Sequence, residues 1–302
     1  FLTLPERLPC RIFSMMAAFL ILELVRVLWK GSAPSRSNLI MLSTLLWRSL
    51  KYLRYSILSY NRHGIHSKFL YQFLDEVVYQ KGEVYPPLLS EYRMSLESDP
   101  GEIIITDYGA GSQSNSSRTR KVKDIAKNSS KSKKWTELLY RIIKRTSPAT
   151  VVELGTSLGI TTANLSSAAP ESKIITIEGC PETSKVADGR FNLFGLDNIE
   201  LINGTFEDKF RDTLHKIGKL DFLFIDGNHR GNAILKYLEW SLPYLHTNSV
   251  VILDDIYWSR DMYAGWQKII EKEEIKLSLD LFQIGILFFN ADLTKEHYLI
   301  RY

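Results

Sequence analysis

The spacing of apolar positions changes character near Thr150. Upstream of it the pattern is helical. Met41 to Tyr60 carries Leu42, Leu45, Leu46, Leu50, Leu53, Ile57 and Leu58 at helical spacing, with Arg48, Lys51 and Arg54 between them. This predicts an amphipathic, basic helix. Asn61 to Ser67 interrupts it, and a second helix is predicted from Lys68 to about Tyr79. Pro86 and Pro87 break the pattern before a short helix over Leu88 to Leu96. A brief apolar run, Ile103 to Thr106, ends in the turn Asp107 to Ser112. The Ser- and Lys-rich stretch from Gln113 to Lys134 reads as a mobile loop with one helical turn near Val122 to Lys127, and Trp135 to Arg145 is again helical in period.

Beyond Thr150, apolar runs recur at Val151–Leu154, Ile174–Ile177, Ile199–Ile202, Phe222–Ile225 and Val250–Leu253, with helix-like segments between them. Such a βαβ rhythm predicts an α/β fold whose mostly parallel sheet is covered on both faces. Ile275–Phe282 and Ile286–Phe289, joined by Gln283 to Gly285, predict a C-terminal hairpin and hence one antiparallel strand. Three regions follow: 1–40 as a leader or extra N-terminal segment, 41–148 as a mainly helical cap with a basic loop at 113–134, and 149–302 as the α/β domain. Met15 to Trp29 is apolar, but it is short and carries Glu23 and Arg26. A spanning helix needs about 20 mostly apolar residues, so this segment is read as part of the leader, with Gly31 to Asn38 as a linker.

Composition refines this picture at three points. Hydrophobic residues make up 45% and charged residues 24%, which indicates a folded chain. The cysteines, Cys10 and Cys180, lie far apart, so neither a disulfide framework nor a zinc site is indicated and a reducing, cytoplasmic setting is expected. The net charge is only +4, yet eight basic side chains and one acid fall between Arg118 and Lys134. A run of this kind is either a solvated surface or a contact for a phosphate-bearing partner.

The chemistry concentrates where strands are predicted to end. Val151 to Gly159 is an apolar strand that carries Glu153 and runs into Gly155, Thr156, Ser157 and Gly159 before a helix. Glycines there permit close approach of a ligand to the backbone. The next strand ends in Glu178 and Gly179, placing an acid where it can take both hydroxyls of a ribose. Later strands end in Asp226 and in Asp254 and Asp255. In an open α/β sheet, ligands bind outside this carboxyl edge. The turn lacks Gly-x-Gly-x-x-Gly spacing, which favours a cofactor without a pyrophosphate.

With these residues in view, the glycine turn resembles the first motif of class I S-adenosylmethionine-dependent methyltransferases. Asp221 to His229 and Val250 to Trp258 resemble the fourth and fifth strand motifs of the cation-dependent, catechol-type O-methyltransferases. The resemblance spans about Ala149 to Tyr302 and implies a Rossmann-like sheet. It implies S-adenosylmethionine held by Glu153, Gly155, Thr156, Ser157, Gly159, Glu178, Gly179 and Asp226. It further implies Mg²⁺ or another divalent cation on Asp226, Asp254 and Asp255, since such ions favour oxygen ligands and activate a bound hydroxyl. Catalytic roles are expected for Asp226, Asp254 and His229, with His229 as general base if no metal binds. Trp258 offers an aromatic face to adenine or acceptor, with core packing as its plainer role.

Upstream, His63 and His66 flank Gly64, which disfavours a regular helix and thus a metal pair. Both histidines and the Asp107 to Ser112 turn are read as the lining of an acceptor-binding cap. The acceptor is expected to be a small-molecule or glycan-like hydroxyl. A nucleic-acid methyltransferase gripping phosphates with 118–134 is the alternative, as is a non-catalytic module that keeps the cofactor pocket. The basic helix from Met41 also leaves open contact with a membrane surface.

Overall fold

The computed structural model describes residues 36–80, 85–106 and 119–302. The expected leader segment at Met15 to Trp29 and the turn Asp107 to Ser112 lie outside the described residues.

Eight strands form one sheet: β3 (Thr150–Leu154), β4 (Lys173–Glu178), β5 (Ile199–Asn203), β6 (Phe222–Ile225), β7 (Val250–Asp254), β8 (Leu277–Asp280), β9 (Ile284–Phe288) and β10 (Glu296–Leu299). Their order is β10-β8-β9-β7-β6-β3-β4-β5. β9 runs antiparallel to both β7 and β8, whereas the other pairings are parallel. The predicted parallel sheet and C-terminal hairpin are therefore present, with β10 as one strand more than the pattern foretold. β1 (Glu102–Ile104) and β2 (Thr119–Lys121) pair separately as an antiparallel arm.

Alternation along the strands feeds two cores, because successive side chains point to opposite faces. Val151, Phe222, Phe224 and Ile252 pack with α2 (Lys68–Phe73), the π-helical turn that continues it (Leu74–Val78), and α5 (Lys133–Thr146). Val152, Leu154, Leu223 and Leu253 pack instead with α8 (Phe206–Ile217), α9 (Gly231–Ser241) and α10 (Arg260–Glu271). α5 shows how spacing selects the buried face: Trp135, Leu138, Leu139, Ile142 and Ile143 follow helical periodicity and are all buried. A third cluster joins α3 (Pro87–Glu97) and α4 (Val122–Asn128) to α6 (Ile160–Ala168) and α7 (Pro181–Leu193).

The upstream half is thus more than a cover. α2 and α5 form a layer on one sheet face, and it is chiefly α1 (Arg36–Leu58) and the α4–α5 link that reach the carboxyl edge. α1 docks through rings. Tyr52 and Tyr55 lie 4.9 and 5.4 Å from Phe282, and Trp47 lies 5.8 Å from Tyr263. Phe282 stacks in turn on Tyr257 at 4.4 Å. The stretch expected as a loop is regular from Thr119 onward, as β2, α4 and the start of α5.

Candidate active site

A cleft of about 1100 Å³ opens along the carboxyl edge of the sheet. One end is formed by Gly155, Ser157, Glu178 and Gly179. The other is formed by Asp226, His229, Asp254, Asp255 and Trp258, with Met41, Leu45 and Arg48 of α1 and Lys131 of the α4–α5 link.

The first end is built from backbone. Gly155 has φ +107°, and a Cβ there would lie 2.0 Å from the carbonyl oxygen of Asp226. Only glycine lets the turn after β3 pass so close to the end of β6. The Ser157 and Cys180 N–H groups donate to the two Glu178 oxygens, each at 2.8 Å. Burial pushes the Glu178 carboxyl above its ordinary range, and these two bonds pull it back. Each oxygen keeps a lone pair for a further donor. A fixed carboxylate beside an uncharged turn is an acceptor set suited to ribose hydroxyls.

Three predicted cofactor residues sit beneath the turn and do not line the cleft. Glu153 is fully buried and accepts bonds from Thr162 and, at 2.7 Å, from Thr176. Burial raises its pKa to about 8. Thr156 is buried with its hydroxyl 2.6 Å from that of Thr176. Gly159 starts α6 at φ +77°, where a Cβ would collide with Phe191 and Tyr92.

Charge concentrates at the second end. Lys131 is buried, and its ammonium pairs with Asp254 and lies 3.6 Å from Asp226. Burial alone would lower the Lys131 pKa, yet the carboxylates of Asp226, Asp254 and Asp255 outweigh it and hold the ammonium above its usual range. At the divalent-cation site expected on Asp226, Asp254 and Asp255, a side-chain cation stands between Asp226 and Asp254. Among the described residues, no group of three or more His, Cys, Asp or Glu side chains is arranged to hold a metal ion. The donor set does not fit that ion while Lys131 is in place.

His229 lies over Trp258 at 5.9 Å between ring centroids, and the Arg48 guanidinium caps Trp258 at 5.5 Å. Ser157, Asn228, Asp255 and Phe282 are non-glycine residues with φ between +49° and +69°, and all four line the cleft. Each such conformation costs about 1–3 kcal/mol and persists where the surroundings enforce it, as at binding sites. His66 is exposed and does not line the cleft. His63 falls in the short 3₁₀ turn Arg62–Gly64, and its side chain is outside the description. Sequence reasoning missed Lys131 and Arg48 as site residues. Lys131 was one of eight similar cations, and nothing local sets it apart.

Residues 152–256 match the model of a methyltransferase domain. Solved folds similar to this one include a methyltransferase of Podospora anserina bound to S-adenosylhomocysteine. Its TM-score is 0.54 at 16% identity, covering 77% of this chain and 98% of that one. The O-methyltransferase TomG of Streptomyces achromogenes, bound to S-adenosylmethionine, gives 0.50 at 15% identity, covering 74% and 95%. The chain thus has the fold of these methyltransferases, and residues 152–256 resemble a methyltransferase domain. Among curated relatives, a probable O-methyltransferase of Mycobacterium tuberculosis is 29% identical over 46% of this chain and 67% of its own length. The human transmembrane O-methyltransferase is 32% identical over 34% of this chain and 36% of its own. The match thus spans about a third of that relative. The methyltransferase domain itself places its glycine turn, Glu178 and Asp226 along one cleft. Among the described residues no helix is long and apolar enough to cross a membrane.

Proposed function

We propose that this chain is an O-methyltransferase acting on a hydroxyl of a small-molecule acceptor bound under α1. The observation that carries the reading is one cleft that joins Glu178 and the Gly155 turn to His229, Asp226 and Trp258. S-adenosylmethionine, when bound, supplies an electrophilic methyl group on a sulfonium sulfur. Glu178 accepts the ribose hydroxyls, and the backbone at Gly155 and Ser157 holds the amino-acid end. Methyl transfer needs an aligned, deprotonated nucleophile. His229 would take the proton of the acceptor hydroxyl on a ring nitrogen, leaving the oxygen free to accept the methyl group that the bound sulfonium would supply. Trp258 and Arg48 close the acceptor end, with α1 excluding water above them.

The basic run gives little support to a nucleic-acid substrate. Lys131 is buried, Lys121 approaches Glu102 at 4.0 Å, and Lys133 approaches Glu137 at 3.7 Å, so these cations already face acids. The test is product identification. Cell extract incubated with the protein and methyl-labelled S-adenosylmethionine should yield a labelled methyl ether in the small-molecule fraction by mass spectrometry. Label confined to nucleic acid would replace this reading.

A further inference from the structure

We propose that Lys131 takes the place of a divalent cation in this cleft, so that the methyltransferase works without a metal ion and its acceptor is held by a side-chain ammonium. The inference rests on the methyltransferase reading above.

Three observations carry it. The first is position: β6 and β7 are adjacent and parallel, and their carboxyl ends bring Asp226 and Asp254 to one spot. The Lys131 ammonium lies at that spot, paired with Asp254 and 3.6 Å from Asp226. The second is burial. The Lys131 and Asp254 side chains are 4% and 3% exposed, so this is not a solvated surface pair that exchanges freely with water. A buried charge is tolerated only where partners compensate it, and here each partner depends on the other. The third is anchorage. Arg93 of α3 donates to the Lys131 carbonyl oxygen at 2.6 Å, and the Ser132 carbonyl accepts from Trp135 and Thr136 at the start of α5. The link that carries the lysine is thus pinned on both sides.

The chemical consequence follows from the donor count. An ammonium has three N–H groups. Two carboxylates flank this one, which leaves a donor for a single acceptor oxygen. A divalent ion with open coordination positions can hold two oxygens of one acceptor, but this ammonium can hold only one. Lys131 would thus steady a lone hydroxyl as negative charge develops on it, while His229 takes the proton. Metal binding and this arrangement exclude each other, because a divalent ion placed between Asp226 and Asp254 would face the ammonium at contact distance and be repelled by it.

The experiment uses the full chain and Mn²⁺ alone as probe, followed by its electron paramagnetic resonance signal, with S-adenosylhomocysteine affinity measured on the same samples. The wild-type protein should bind S-adenosylhomocysteine and leave millimolar Mn²⁺ free. Lys131→Met, which keeps the apolar stem and removes the charge, should take up one Mn²⁺ per chain at least tenfold more tightly. Adding Asp254→Asn to that variant should abolish the gain. Stoichiometric Mn²⁺ binding by the wild type, with S-adenosylhomocysteine still bound, would overturn this inference and leave the methyltransferase reading intact. Failure to bind S-adenosylhomocysteine at all would remove that reading and this inference with it. The wild-type arm decides the question even if Lys131→Met fails to fold.

Discussion

The two ends of the cleft are made of different materials. The end at Glu178 is built chiefly from the turns after β3 and β4, with Thr106 beside Cys180, and uses backbone N–H groups, glycine and one fixed carboxylate. The end at Asp226 is an assembly. β6 and β7 give the acids, the loop after β6 gives His229, α1 gives Arg48, and the α4–α5 link gives Lys131. A cofactor is the same in every turnover, so a rigid backbone cradle suits it. An acceptor must be enclosed and deprotonated, and that calls for side chains brought in from outside the sheet.

The largest effect that separates the two ends is on turnover. His229→Ala should lower kcat about 10²–10⁴-fold, the usual range for a lost general base, while calorimetry shows unchanged affinity for S-adenosylhomocysteine. Equal loss of both would merge the two ends into one structural unit. Next comes the pH dependence of stability under the glycine turn. Burial holds the Glu153 pKa at about 8 against an ordinary 4.5. Folding thus keeps a proton that the unfolded chain releases, so this contribution is complete below about 4.5 and declines as pH rises through 8. Thermal unfolding of Glu153→Gln should lack that decline and show a gain of a few kcal/mol over wild type near pH 8. An identical slope in both proteins would mean the carboxyl is ionised throughout.

Glu178→Ala should weaken S-adenosylhomocysteine binding by about 1.5–3 kcal/mol, as for hydrogen bonds to a charged group, and spare the fold. Unchanged affinity would take Glu178 out of the cofactor end. The smallest effect is expected at Arg48. Its contact with Trp258 is a cation–π pair, of order 0.5–1 kcal/mol when exposed. Arg48→Ala should therefore raise the acceptor KM only a few-fold and leave cofactor affinity alone.

The same division explains what could be read from the sequence. Four of the five apolar runs from Val151 to Leu253 are strand cores buried on both faces, with Ile199–Ile202 half-buried at the edge, so their length and rhythm encode the sheet directly. Gly155 and Glu178 stand at fixed offsets from those strands, and local spacing locates them. Glu153, Thr156 and Gly159 share that spacing, but their side-chain directions depend on packing against α6 and α7 and are not visible in a motif. Lys131 was illegible for a stronger reason. It comes from a link between two helices, and its partners lie about a hundred residues downstream at Asp226 and Asp254. A run of cations reads as a solvated surface, and only the third dimension turns one of them inward. β10 was missed because Glu296 to Leu299 mixes polar and apolar residues at the edge of the sheet, where its outer side meets only the isolated bridge between Tyr60 and Ile300.

On the proposed reading, the Gly155 and Glu178 end of the cleft holds S-adenosylmethionine. The most direct measurement is a calorimetric titration of the wild-type protein with S-adenosylhomocysteine, run beside an identical titration with NAD. One saturable site for S-adenosylhomocysteine and no heat of binding from NAD are expected. Binding of NAD with none of S-adenosylhomocysteine would contradict this reading.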